Sequence, residues 1–217
     1  MANCNSRTDR DLSVVADEFV WDGEGASEAN GFILPAVQRM LALSKARSVL
    51  DLGCGNGYCS GFLHEKGYEI AGCDFSKSGI DLAQRQFPGV NFFQQDLSQE
   101  LHVEHVGKYD AVISTEVIEH LLLPRKLMEN AISALRPGGM LIISAPYHGY
   151  LKNLALALTD GFDEHWHPLR DYGHVKFFSR KTIVRLFEEF GFKDIRFETV
   201  GRIPAFARSM LISGTRP

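Results

Sequence analysis

Cysteine is scarce in this chain, with four residues in 217: Cys4, Cys54, Cys59 and Cys73. No two form a CxxC pair, so neither a thiolate zinc knuckle nor a dithiol redox motif is encoded. Three of the four fall in or beside strand-like runs and a glycine loop, where reduced, buried thiols of a reducing compartment are expected. Apolar runs of bilayer length are missing too. The longest are strand-sized, so no spanning helix and no membrane partner are expected. The first eleven residues are polar and charged and lack the apolar segment of a secretory signal; the expected location is cytoplasmic. Nor is there a basic excess: 23 Lys and Arg stand against 27 Asp and Glu, a net charge of −4. A broad field for nucleic acid is thereby excluded, although a local basic patch stays open. Internal repeats and low-complexity tracts are also absent.

What remains is a chain of ordinary globular composition, 45% hydrophobic and 23% charged, long enough to bury a core without staples. One domain over residues 1–217 is the expectation, with residues 1–27 as an N-terminal arm and 147–178 as an insert. Apolar spacing predicts a helix over residues 28–43, its start limited by Pro35. Ser48-Val49-Leu50 then leads into a glycine loop, and a helix runs to Lys66-Gly67. A strand over 69–73 ends at Asp74, and Ser76 caps a helix that Pro88-Gly89 stops. Further strands fall at 90–93, 109–113 and 140–145, with a helix at 124–135 closed by Pro137-Gly138-Gly139. Strands alternating with helices predict a doubly wound parallel α/β sheet, whose strand ends share one ligand-binding edge. After Pro146 the rhythm breaks. A short helix-like piece at 151–158, a helix at 182–190 and two closing strands at 192–200 and 206–213 follow.

The segment Asp51-Leu52-Gly53-Cys54-Gly55-Asn56-Gly57 sits between a strand and a helix. Such a turn removes side chains so that a ligand can approach the backbone, next to a helix start with free N–H groups. Dinucleotide folds use a GxGxxG spacing, and here Tyr58 stands where its last glycine is required. A bulky residue there argues against pyrophosphate and against a nicotinamide oxidoreductase. Asp51 before the turn suits an ammonium, so a zwitterionic amino acid bearing a sulfonium is the better match. Asp74 closes the second strand, where a carboxylate can accept from both hydroxyls of a ribose. Asp96 follows the third strand, placed to accept from an adenine amino group. Taken singly, each acid also reads as a turn residue or cap; together they mark three successive strand ends.

These residues resemble the class I S-adenosylmethionine (SAM)-dependent methyltransferases. The stretches DLGCGNG, GCDFS, QQDL and YDAVISTEVIEHL occur in that family's order, and the likeness covers residues 47–192. It implies a seven-stranded, mostly parallel Rossmann-like sheet whose two closing strands form an antiparallel hairpin at the edge. It also implies SAM as methyl donor, with Gly53, Cys54, Gly55, Asn56 and Gly57 near its methionine, and Asp51 beside them. Asp74 and Phe75 fall at the ribose, Asp96 and Leu97 at the adenine, and Thr115 and Glu116 at the fourth strand's end.

Glu116-Val117-Ile118-Glu119-His120 follows the fourth strand. If Glu116 opens a helix, Glu119 and His120 at i+3 and i+4 share its face, and two carboxylates with an imidazole suit Mg²⁺ or Mn²⁺. The alternative is structural: acids in a first helical turn favour the dipole, and His120 orients a neighbour. The run is similar to ubiquinone-biosynthesis O-methyltransferases and to small-RNA 2′-O-methyltransferases, in which E-x-x-E-H serves a metal. In the latter a further histidine precedes an aromatic-Ser/Thr-Arg stretch. Here His174-Val175-Lys176-Phe177-Phe178-Ser179-Arg180 is comparable, which nominates His174 as fourth ligand, although its Phe-Phe core departs from those RNA enzymes. Without metal, His120 or Glu119 is the candidate general base.

The insert holds four of the eight histidines, His148, His165, His167 and His174, with Tyr147, Tyr150, Trp166 and Tyr172. A loop at the carboxyl edge of a parallel sheet is where an acceptor pocket forms, and aromatic walls suit a small acceptor. Trp21 and Asp22 read either as a lid over the site or as core packing. The resulting expectation is methyl transfer to a hydroxyl of a small molecule or saccharide. The alternatives are 2′-O-methylation of RNA ends and a SAM-binding protein without catalysis. The oligomeric state is not encoded legibly.

Overall fold

The computed structural model describes Trp21, Gly23 and residues 25–217. Cys4, Asp22 and the polar residues 1–20 lie outside the described residues. The chain order is α1 (Asn30–Ser44), β1 (Ser48–Leu52), α2 (Tyr58–Glu65), β2 (Glu69–Asp74), α3 (Lys77–Gln86), β3 (Asn91–Gln94), β4 (Tyr109–Thr115), α4 (Pro124–Ala134) and β5 (Leu135–Pro146). Then come α5 (Tyr150–Leu158), α6 (Phe162–Trp166), α7 (Arg180–Glu189), β6 (Lys193–Val200) and β7 (Ser209–Thr215). The strands form one seven-stranded sheet in the order β3-β2-β1-β4-β5-β7-β6. All pairings from β3 to β5 are parallel, and β7 runs antiparallel to both β5 and β6.

The strands are apolar on both faces because helices cover both. Along β5, Leu141, Ile143 and Ala145 face one core cluster and Ile142 the other. In β4, Val112 faces the first, and Ala111 and Ile113 the second. This period-two split of a continuous apolar run is what a buried parallel sheet requires. Leu127, Met128 and Ala131 of α4 and Ile183 and Phe187 of α7 pack on the first face. Residues of α1, α2 and α3 pack on the second, among them Ile33, Val37, Leu63 and Ile80.

Local signals set most boundaries. Ser76 accepts a bond from Gly79 N at 3.1 Å and caps α3, a contact worth about 1 kcal/mol. Pro124 opens α4 at a position whose N–H needs no partner. Ser179 and Thr182 form a reciprocal capping box at the start of α7. Pro35, expected to limit the start of α1, lies inside it. The missing bond points back to Gly31, four residues earlier, where no side chain adds to the clash. β7 starts later than the 206–213 pattern suggests, because Pro204–Phe206 forms a 3₁₀ turn first. α6, a five-residue helix, has too few residues for a readable period.

β1 and β4 neighbour each other with crossovers leading away on either side, so the edge beyond their carboxyl ends is the switch point of the sheet. Pairing of Pro146 with Ser209 brings the start of β7 to that same edge. The insert, α5 and α6 included, leaves from it.

Candidate active site

The glycine loop takes the shape its composition permits. Gly53, Gly55 and Gly57 have φ of 84°, 55° and 78°, left-handed values that side chains disfavour. Gly53 N and Cys54 N both donate to Cys73 O, at 2.8 and 2.9 Å, which ties the loop to the end of β2. Asp51 beneath it is fully buried. One carboxylate oxygen accepts from Ser60 Oγ at 2.8 Å, and the other has no partner among the described residues. Burial pushes its carboxyl up to about 7. Asp74 accepts from Gly55 N and from Ser76 N, each at 2.9 Å, through different oxygens. It therefore braces the loop. Phe75 beside it is 41% exposed, a flat apolar surface at the rim. Asp96 is exposed and accepts from Ser98 N and Ser98 Oγ, both at 2.8 Å, while Leu97 beside it is buried. Asn56 is buried and donates to Gly23 O and Gly25 O. Cys54, Cys59 and Cys73 are buried, unpaired thiols whose pKa burial raises.

The helix expected to start at Glu116 does not form. Glu116 has φ of 54°, and only a 3₁₀ turn, Ile118–His120, follows. The reason lies across the sheet. Glu116 N bonds Ser144 Oγ at 3.0 Å, and its carboxylate accepts from Ser144 Oγ at 2.9 Å and Ser209 Oγ at 3.3 Å. These long-range bonds hold a left-handed residue that local propensity disfavours. The three side chains consequently do not share a helical face.

They are nevertheless brought close, and the loop carrying His174 joins them. Val175 N and Lys176 N both donate to Glu119 O at 2.9 Å, docking that loop on the turn. One ligand atom each from Glu119, His120 and His174 lie within 4.8 Å of one another; Glu116 is not in that group. The Glu119 side chain is 1% exposed, and neither carboxylate oxygen has a hydrogen-bond partner among the described residues. Its pKa is raised by burial first and by Glu116 second. Glu116 itself is raised by burial. His120 Nδ1 faces Tyr172 O at 2.9 Å and Gly173 O at 3.2 Å. Two carbonyls demand a donor, so the proton sits on Nδ1 and Nε2 keeps its lone pair. The His174 ring lies 4.9 Å from that of His120 at 75°. Both rings reach solvent, yet the protein packed behind them disfavours the imidazolium. His120 is lowered, and His174 is lowered to about 4 by burial and by His120.

A second wall comes from the insert, as a group no short motif announces. His148 is 8% exposed, with Phe177 at 5.2 Å, Trp166 at 6.1 Å and His165 at 6.1 Å between ring centroids. Trp166 and Phe177 lie 4.8 Å apart. Burial lowers His148 to about 4, helped by the Lys152 ammonium. Asn153 faces His148, and Trp166 Nε1 is buried without a partner among the described residues. Asn153, Ser144 and Ser209 were missed in the sequence. Clustered histidines and aromatics in residues 147–178 were the available signal for the wall, and nothing local signals the serines.

A seven-stranded sheet with this order, a glycine loop after β1, acids at the next two strand ends and an antiparallel edge hairpin defines the Rossmann-like methyltransferase fold. Solved structures agree. The methyltransferase domain of bacterial CtHen1 superposes with a TM-score of 0.63 at 24% identity, over 84% of this chain and 97% of that one. Magnesium protoporphyrin IX methyltransferase from Synechocystis PCC 6803, solved with bound S-adenosylhomocysteine (SAH), gives 0.65 at 22% identity, over 85% and 82%. The chain belongs to the "Methyltransferase domain" family, whose pattern matches residues 26–196. Among curated relatives, the ubiquinone biosynthesis O-methyltransferase of Coxiella burnetii is 30% identical over 132 residues, 57% of this chain and 55% of the relative. That of Aeromonas salmonicida is 26% identical over 148 residues, 67% and 62%. The chain thus spans little more than half the length of the curated relatives it matches.

Proposed function

We propose that the chain is a SAM-dependent methyltransferase acting on a hydroxyl of a small molecule, with Glu119, His120 and His174 as a divalent-cation site. The observation that carries this is Glu119: a carboxylate at 1% exposure whose two oxygens have no partner among the described residues, beside two neutral imidazoles. A buried carboxylate without partners is costly, and a cation is the partner its surroundings fit. Two donors each about 2.1 Å from one ion stand at most about 4.2 Å apart, so the three atoms need draw in only slightly. Glu116 stays on its serines and acts through its charge on Glu119.

The donor reading uses what faces the switch point. The turn Gly53–Gly57 is the surface for the methionine part, the Asp51 carboxylate suits its ammonium, and Asp74 is the acid for the ribose hydroxyls. Phe75 and Leu97 supply apolar surface for the adenine, with Asp96 at its edge. Thr115 ends β4 between the two halves. The chemistry is an in-line displacement in which the C–S bond of the sulfonium breaks as a C–O bond forms. The already activated carbon leaves the protein mainly the task of alignment. A bound divalent ion supplies a lowered hydroxyl pKa and a fixed oxygen position. With the ion bound, His120 Nε2, its Nδ1–H tied to carbonyls, would serve as ligand; without the ion the same lone pair is the base for the hydroxyl proton. Trp166, Phe177 and His148, packed on one another, form one wall for a planar or compact acceptor, with Trp166 Nε1–H left for a polar group. The names of the relatives support an oxygen acceptor.

The test measures methyl transfer from labelled SAM across phenolic, saccharide and RNA-end acceptors, with Mn²⁺ or Mg²⁺ and after exhaustive chelation. Turnover of a small hydroxylated acceptor that stops on chelation and returns with Mn²⁺ is expected, with Glu119→Gln losing Mn²⁺ binding by calorimetry. Activity that survives chelation removes the cation and leaves His120 as the base. RNA-end methylation with steep salt dependence overturns the small-molecule reading.

A further inference from the structure

Trp21, Gly23 and Gly25 lie along the outer rim of the glycine loop. A Cβ added at Gly55 would stand 2.3 Å from Trp21 Cζ2, so the indole fills the space of any side chain at position 55. The same ring reaches α3, where a Cβ at Gly79 would lie 2.9 Å from Cδ1 and 3.1 Å from Nε1. Two positions without side chains therefore form one slot for the indole. The backbone fastens it: Trp21 N donates to Ser78 Oγ at 3.1 Å. Asn56 Nδ2 donates to Gly23 O at 3.0 Å and Gly25 O at 3.1 Å. Arg208, just before β7, pairs with Glu28. Trp21, Gly23, Gly25 and Glu28 thus have anchors on both sides of the loop, from α3 to the start of β7. Gly55, directly under the indole, is also the residue whose N–H bonds Asp74.

We infer that Trp21 is a donor-retaining residue: it forms the outer wall of the nucleoside cleft, and SAH leaves when the indole lifts from Gly55 and Gly79. The inference rests on the donor site proposed above. A large apolar ring one residue from Asp74 keeps water from the carboxylate, which strengthens its bonds to hydroxyls. Asn56 links the state of the loop to the position of the rim segment. Opening of such covers limits product release in many enzymes, and affinity changes of this kind appear mainly in dissociation rates.

The chain has two tryptophans, so Trp166→Phe leaves Trp21 as the sole tryptophan, excited selectively at the red edge of the absorption band. Its emission is expected to shift on titration with SAH. Chase of tritiated SAH from Trp21→Ala is expected to be about tenfold faster or more, with little change in association rate. Trp21→Phe restores most of the retention. Ser78→Ala, which leaves the indole and the loop intact, speeds release by a smaller factor. A folded Trp21→Ala protein that releases SAH at the wild-type rate overturns the inference even if its melting temperature falls, because the ring then only packs. Silent Trp21 emission in Trp166→Phe saturated with SAH overturns it too. Wild-type protein that binds no SAH by calorimetry overturns the donor site itself and this inference with it.

Discussion

Asp74 shows how one side chain carries two duties. Its carboxylate braces Gly55 and Ser76 through backbone N–H groups and is also the proposed acceptor for the ribose hydroxyls. Asp74→Ala therefore removes ribose acceptors and also orphans two donors. Calorimetry is expected to show SAH affinity lower by about 2–4 kcal/mol, with a fall in melting temperature alongside. Unchanged SAH affinity would sink the ribose assignment. The acid was legible because loop, strand end and carboxylate are neighbours in sequence. Its bracing role was not, since the partner amide at Gly55 lies across a crossover. Glu116 is the opposite case. Residue spacing alone predicts a helical start, and two serines from β5 and β7 decide otherwise.

Among the elements, the division of labour runs between the β1–β2 edge and the insert. In the proposed function the glycine loop, Asp74 and the turn after β3 serve the donor, and residues 147–178 the acceptor. Tyr150 is exposed on α5, a helix with no buried residue, and Trp166 stands within the aromatic wall. Trp166→Ala and Tyr150→Ala are expected to lower acceptor turnover while SAH affinity stays near wild type. Loss of SAH binding in either folded variant contradicts that division. The strands of this frame were readable from their apolar runs and turn residues. α6 and the 3₁₀ turns were not, because so few residues carry no period.

For the whole molecule, buried ionisable groups set the pH response. Asp51 has a folded pKa of about 7 against an ordinary value of 3.8. Between these values the folded chain holds a proton that the unfolded chain has released, so this group's contribution falls as pH rises from about 4 to about 7. His148 and His174, each lowered to about 4, act the other way: their contribution is lost as pH falls from 6.5 towards 4. Asp51→Asn removes the first slope, up to about 1.4 kcal/mol per pH unit. Its melting temperature relative to wild type is expected to climb from pH 5 to pH 7 and level off above. Parallel curves across that range refute a buried, protonated Asp51. In the proposed donor site the same carboxylate meets the donor's ammonium, and SAH affinity is then expected to rise over the same interval.

The amino-acid sequence by itself determined the class of this protein. Apolar runs of strand length, caps such as Ser76, and a glycine turn flanked by acids are local features, and their energies depend on neighbours a few residues away. Membership of the methyltransferase family is shown by that family's pattern, which matches residues 26–196. Only the tertiary structure decided what meets at the edge of the sheet: Glu119 with a histidine from a loop more than fifty residues on, Glu116 with serines of two other strands, Trp21 with Gly55 and Gly79. Those meetings depend on crossovers, on the antiparallel return of β7 and on the docking of residues 174–176 upon Glu119. Such contacts are fixed by the packing of the whole sheet, which residue spacing does not encode.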